Sequence, residues 1–349
     1  MRSILSVILL LAVLLSVSGC SMFSETYVAQ RPHQGNHHSI QSGQQMASSY
    51  PEIYTALAAL VSHGETTGVI ILSDLTEQVG RSYMQAAVKN VMGQDPIGAY
   101  AVDNIQFDMG TNAGRMAVGV QIQYSRSRAD IANVKSVTTM EEAELLIGQS
   151  LEQSTDAVVF VVEQFDQIDF ASLVQQYGQT NAAMVMEIPQ VMTAIYPHTG
   201  QKRLVEVTFT YQNSQDDLLQ MQALVKPFFT AAELYVQGET STRKKFQQLY
   251  SFLMERWDYK LKSSVTPTYS LLQDGMGDSM AFACVYAAMC RQTGLECRVV
   301  TGTKDGKVWS WNRVVISNRV YYIDLIEAAR SGRFQMRTAS EMHGYTWQR

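Results

Sequence analysis

The stretch Gly275-Met-Gly-Asp-Ser-Met-Ala-Phe-Ala283 leads directly into an apolar helix pattern and then into two alternating strands, and this order constrains the fold more than any other part of the chain. Gly275 and Gly277 let the backbone turn tightly, and the apolar run that follows predicts a helix over Ser279 to Thr293. Val308 to Ile316 and Arg319 to Leu325 read as two adjacent strands, with Asn318 and Arg319 making the tight link. Ser279 therefore sits at a helix N-terminus, where unpaired N–H groups and the positive dipole end collect.

Three further blocks keep fixed separations from this one: Cys290 to Gly302, Trp309-Ser-Trp-Asn312 and Tyr321-Tyr-Ile-Asp324. Ser279 lies 15 residues before Gly294 and 30 before Trp309, and Trp309 lies 15 before Asp324. Together the blocks resemble the core of the transglutaminase-like superfamily, the papain-like fold of cysteine proteases and protein-crosslinking enzymes. In that pattern the first block reads G-x-C-x-x-[YF]-A, a later one reads H-A-W-N, and the last ends in Asp. The resemblance covers about Lys244 to Ala328, including the aromatic-rich run Phe252 to Tyr259 and the approach segment Thr266 to Gly275. It implies a nucleophile at position 279, a general base at 309 and an orienting acid at 324.

The residues depart from that chemistry at two of the three positions. Serine is a poor nucleophile at neutral pH without an adjacent base, and the indole of Trp309 only donates. There is no His between Ser279 and Asp324, and His63, His198 and His343 stand away from the family position. Cys284 lies more than a turn inside the helix and reads as core rather than as a displaced nucleophile. The expectation is a pseudoenzyme with degenerate triad positions Ser279, Trp309 and Asp324. The alternative is a hydrolase or acyl transferase using Ser279 with a base recruited from elsewhere. Trp309 reads either as a plug in the former cleft or as a flat platform for a ligand, and Trp309, Trp311 and Asp278 are the candidate ligand-groove residues. Asp324 reads as hydrogen-bonded to Trp309 or to a backbone amide, or as a ligand contact.

Residues 1–20 read as a targeting segment: Arg2 is the only charge, Ile4 to Val17 is nearly all apolar, and Val17-Ser-Gly-Cys20 closes it. That ending resembles the bacterial lipobox, which implies diacylglycerol on Cys20 and a lipid-anchored, extracytoplasmic chain. An uncleaved anchor is the other reading, and both hold the bulk of the chain on the outer side of a membrane. Without Arg2 the net charge is −6, a surface ill suited to a polyanion, so nucleic acid is not an expected partner. The groove of the resembled family accommodates extended peptide, which makes a protein or cell-wall peptide the expected partner. No cofactor is expected. Cys284, Cys290 and Cys297 are too few and too clustered for a disulfide framework and read as core residues.

Residues 21–49 read as a polar tether, in which His33, His37 and His38 lack the fixed geometry of a metal site. Beyond it, Val118 to Tyr124 followed by Ser127 and Asp130 matches Val205 to Tyr211 followed by Ser214 and Asp217 at a constant offset of 87. Both runs alternate, as strands with one buried face do, and each Ser stands where it would cap the next helix with the acid reciprocating. Helix and strand patterns upstream match loosely. The expected fold class is α+β: two repeated α/β modules, 50–137 and 138–236, then a papain-like transglutaminase-type domain at 237–330 with N-terminal helices packed on an antiparallel sheet. A long amphipathic helix from Ser214 to Gly238 links them, a further helix is expected over Arg243 to Leu261, and 331–349 is an unassigned tail.

Overall fold

In the computed structural model, residues 45–255 and 260–348 are described. The leader, Cys20, the three tether histidines and residues 256–259 of the aromatic-rich run lie outside them.

The two modules have the same topology. The first runs β1 (Gln45–Ala47), α1 (Tyr50–Ser62), β2 (Thr67–Leu72), α2 (Glu77–Gln94), α3 (Pro96–Ala101), β3 (Val102–Asn112), β4 (Arg115–Tyr124) and a short α4 (Arg128–Ala132). The second runs β5 (Lys135–Val137), α5 (Met140–Glu152), β6 (Ala157–Val162), α6 (Phe170–Thr180), β7 (Gln190–Tyr196), β8 (Arg203–Thr210) and α7 (Gln215–Tyr235). Their sheets are ordered β1-β2-β4-β3 and β5-β6-β8-β7, each with one parallel pair and two antiparallel pairs. The offset of 87 holds in the cores, since Val118, Val120 and Ile122 are buried in one module and Val205, Val207 and Phe209 in the other. Each such side chain contributes about 1.5–3 kcal/mol by leaving water. The caps also repeat: Ser127 and Asp130 form a reciprocal capping box, and the Ser214 hydroxyl accepts from Asp217 N and donates to its carboxylate.

The expected module boundaries shift, because each unit opens with a three-residue strand. Gln45–Ala47 pairs in parallel with β2, so the first module begins inside the expected tether, and Lys135–Val137 pairs with β6, so it belongs to the second module and not the first. Strands this short carry no periodicity, and only the neighbouring strand identifies them.

The modules meet where Tyr100, Ala101 and Ile131 pack on Val161 and Leu204. Beside them Arg126 pairs with Glu206 at 2.7 Å and lies over the Tyr100 ring. Helix α7 then joins the second module to the C-terminal domain. Its first half carries Gln222, whose side-chain amide donates to Met184 O. Pro227 lies inside the helix, and the second half buries Phe229 and Ala232 in the C-terminal core.

That domain comprises α8 (Thr242–Met254), α9 (Pro267–Asp274), α10 (Ser279–Gln292), β9 (Cys297–Lys304), β10 (Lys307–Ile316), β11 (Arg319–Ile323), α11 (Leu325–Ser331) and β12 (Tyr345–Thr346). Helix α10 is its axis: every residue from Ala281 to Cys290 is buried, against α8, α9 and one face of an antiparallel sheet ordered β11-β10-β9-β12. Cys284, Cys290 and Cys297 are free and buried, as core residues. Burial pushes the Cys284 thiol up to about 12 and that of Cys290 well above its ordinary value, so neither is poised as a thiolate.

Three expectations for this domain change. Helix α8 ends at Met254 instead of reaching Leu261, and Lys260 is drawn into a β-bridge with Met276. The β10–β11 link is Ser317-Asn318, both left-handed (φ 50° and 61°), with Arg319 already in the strand. Residues beyond 330 are not a separate tail. Arg337 bridges Tyr322, and Tyr345 and Thr346 pair with Lys304 and Thr303. Gly302 permits that closure, because a Cβ there would run into Thr346 O, Trp311 and the Trp347 side chain. Gly302→Ala is accordingly expected to cost about 1–3 kcal/mol by overpacking. Chemical denaturation would show this as a lower midpoint, and an unchanged midpoint would mean that β12 is not held closely.

Candidate functional site

Ser279 is the first residue of α10. Asp278 caps the helix, its Oδ1 accepting from Ala281 N at 3.0 Å and its Oδ2 from the Ser263 hydroxyl at 2.7 Å. Asp278 thus serves as the helix cap, and its side chain remains half-exposed. Ser279 is buried, and its Oγ accepts from Ser310 N at 3.1 Å. Two residues further along β10, Asn312 is fully buried and its side-chain amide donates to Ala283 O at 2.8 Å. These two bonds bind α10 to β10.

Asp324 follows β11, caps α11 and is buried. Its Oδ1 accepts from Glu327 N at 2.9 Å. Its Oδ2 accepts from the Trp309 indole N–H at 2.8 Å and the Tyr345 hydroxyl at 2.7 Å, with Lys304 Nζ at 3.4 Å. Lys304 Nζ is held more tightly by Glu327, at 2.6 Å. Burial opposes its charge, but the bond to Glu327, that to Tyr345 and the charge of Asp324 prevail and raise its pKa. Lys304 is thus a fixed cation and not a base. Burial, followed by the hydrogen bond to Asp324, pushes the Tyr345 hydroxyl up to about 12.

Trp309 is half-buried and touches both the main core and the smaller aromatic cluster behind the sheet. Lys304 Nζ and the Arg330 guanidinium stand 5.5 and 5.8 Å from its ring centre, within cation–π range. No water-sized space remains among Ser279, Phe282, Asn312 and Asp324. Trp311 is 1 % exposed and packs edge-on against Tyr345 and Trp347 at 5.1 and 5.4 Å. It is therefore a core residue and not a ligand-accessible groove residue, because two rings and Gly302 enclose it.

The structure thus brings all three triad positions to one place. The donor-only indole makes the bond to Asp324 that an imidazole would make, but it has no lone pair with which to take a proton from Ser279. Lys304 and Tyr345 complete the cluster, and neither was identifiable as a partner of Asp324 from sequence, since Tyr345 arrives from the segment beyond 330. Among the described residues no group of three His, Cys, Asp or Glu could hold a metal ion, and no helix is long and apolar enough to cross a membrane.

Residues 230–348 match the family model of the transglutaminase-like superfamily. This part of the chain is a transglutaminase-like domain. The match reaches past the expected limit of 330 and includes β12 and Tyr345. None of the curated proteins matches the chain. Similar solved structures include a TGase (11 % identity, TM-score 0.27, covering 55 % of this chain and 58 % of that one). A candidate cysteine protease from Cytophaga hutchinsonii gives 11 % and 0.27, over 45 % of this chain and 70 % of that one. A candidate protease from Parabacteroides distasonis gives 8 % and 0.25, over 73 % and 39 %. The chain spans little more than half of the first of these.

The Tyr345 hydroxyl gives the cluster a pH signature. Its folded pKa is raised, so its contribution to stability is complete below the ordinary value of 10.0 and is lost as pH rises through about 12. Wild type should exceed Tyr345→Phe in stability at neutral pH, and the gap should narrow between pH 10 and about 12. A gap independent of pH would show that the hydroxyl does not bond to the Asp324 carboxylate.

Proposed function

We propose that this chain is a membrane-anchored, extracytoplasmic binding lipoprotein whose transglutaminase-like domain is a pseudoenzyme, and whose partner is a protein or a cell-wall peptide. The observation that carries the inactive reading is the bond from the Trp309 indole to Asp324. It occupies the acid that would orient a catalytic base, and it does so with a group that cannot accept a proton. Two further observations support it: Ser279 Oγ is tied to Ser310 N, and the space between Ser279 and Asp324 is filled. The Trp309 bond to Asp324 and its packing on both apolar clusters favour Trp309 as a plug over Trp309 as a platform. The enzyme alternative needs a base at Ser279. The nearest basic side chain in the Asp324 cluster is Lys304, whose charge Glu327 and Asp324 hold in place.

The test is turnover of ester and peptide substrates, with amine incorporation, by wild type and Ser279→Ala. Equal background from both is expected, and a rate that depends on Ser279 would overturn the pseudoenzyme reading. For the binding role, crosslinking in the native envelope should capture the same protein or peptidoglycan fragment with wild type and with Trp309→Phe. Capture of nothing would overturn it.

The lipid anchor rests on Val17-Ser-Gly-Cys20. Labelled palmitate should enter the wild type and not Cys20→Ala, with the variant leaving the membrane fraction. Label retained in the variant would sink that part of the proposal.

A further inference from the structure

A cleft of about 390 Å³ lies where the second module meets the transglutaminase-like domain, a volume within the range of small-molecule sites. Its walls come from both sides: Glu152, Asn181 and Met184 from the module, Lys226 and Phe229 from α7, and Ala288 and Arg291 from α10. It is separate from the Ser279–Asp324 cluster, and no reading of that cluster bears on it.

The chemistry of the lining is divided. Lys226 and Arg291 join no ion pair among the described residues, although seven such pairs form elsewhere. They come from two helices that pack on each other, so two cations outside any ion pair border one opening. Glu152, in the same lining, takes the Tyr177 hydroxyl on Oε1 at 2.8 Å, which leaves its second oxygen to accept. The buried Asn181 donates through Nδ2 to Tyr177 O at 2.9 Å, which leaves Oδ1 to accept. The apolar part of the wall is Met184, the Phe229 ring and Ala288. The lining therefore combines two cations with two free acceptors and a short apolar surface. That pattern suits a ligand with carboxylate at one end, ammonium at the other and little bulk in the middle. A phosphate would find the cations but would meet Glu152 as a repulsive neighbour.

We propose that this cleft binds a small zwitterion rich in carboxylate, of the acidic amino-acid or dipeptide class. Lys226 and Arg291 take the carboxylates, and Glu152 with Asn181 takes the ammonium. Pro227 adjoins Lys226 within α7, so the ligand sits beside the one helix that the module and the domain share.

The test is methyl NMR on protein labelled at methionine, with Met184 assigned by Met184→Leu and the dipeptide alanylglutamate as the probe. The Met184 methyl should shift on titration, with a Kd on the order of 1 mM or tighter. Lys226→Gln and Arg291→Gln should each weaken binding roughly fivefold, the scale of a partly exposed charge pair. Both side chains are exposed, so the remaining methyl signals should stay in place and report an intact fold. Capping the probe's carboxylates as amides should abolish the shift, and acetylating its amine should weaken it. A Met184 methyl that does not move, or a Kd unchanged in both variants, overturns the proposal. A response to inorganic phosphate equal to that to the dipeptide overturns the assigned ligand class.

Discussion

The C-terminal domain is organised around one buried carboxylate. Asp324 gathers an indole N–H, a phenol, an ammonium and a backbone N–H onto two oxygens. A buried charge is tolerated only when its lone pairs are met, and bonds to it are worth about 1.5–3 kcal/mol each. The four donors come from β10, β12, β9 and α11. The carboxylate thus fastens the far end of the chain to the sheet and sets the start of the last helix. The indole at position 309 reaches this carboxylate as a donor only.

The rest of the domain conforms to that arrangement. Asp278 fixes the start of α10, Ser279 and Asn312 tie the helix to β10, and Gly302 lets β12 close over the aromatic cluster. These are several independent restraints on one helix–sheet junction. Asn312 Oδ1, beside Ser279, is buried there without a hydrogen-bond partner among the described residues. In this domain the larger openings lie elsewhere, on the outer face of the sheet and at the border with the second module.

The two modules are built by economical means. Each uses a strand hairpin with one buried face, a Ser–Asp cap and a short parallel edge strand. Packing between them rests on a small apolar patch and the Arg126–Glu206 pair. The contact between the second module and the domain is more intimate, because α7 and residues 182–186 contribute directly to the C-terminal core.

Much of this was legible in the chain. The spacing from Gly275 to Asp324 gave the helix and hairpin, the offset of 87 gave equivalent buried positions, and Ser127 and Ser214 declared their caps. Such features are local, and local chemistry leaves a pattern in sequence. The short strands β1, β5 and β12 were not legible, because two or three residues have no period and exist only through their neighbours. The burial of Trp311 was not legible for a related reason: it depends on what packs alongside, and Tyr345 and Trp347 are distant in sequence. The sequence by itself determined that positions 279 and 309 hold Ser and Trp, since residue identity limits which protons can move. Only the tertiary structure decided that the Trp309 indole bonds to Asp324, because that contact requires three strands and the returning chain to converge on a single carboxylate.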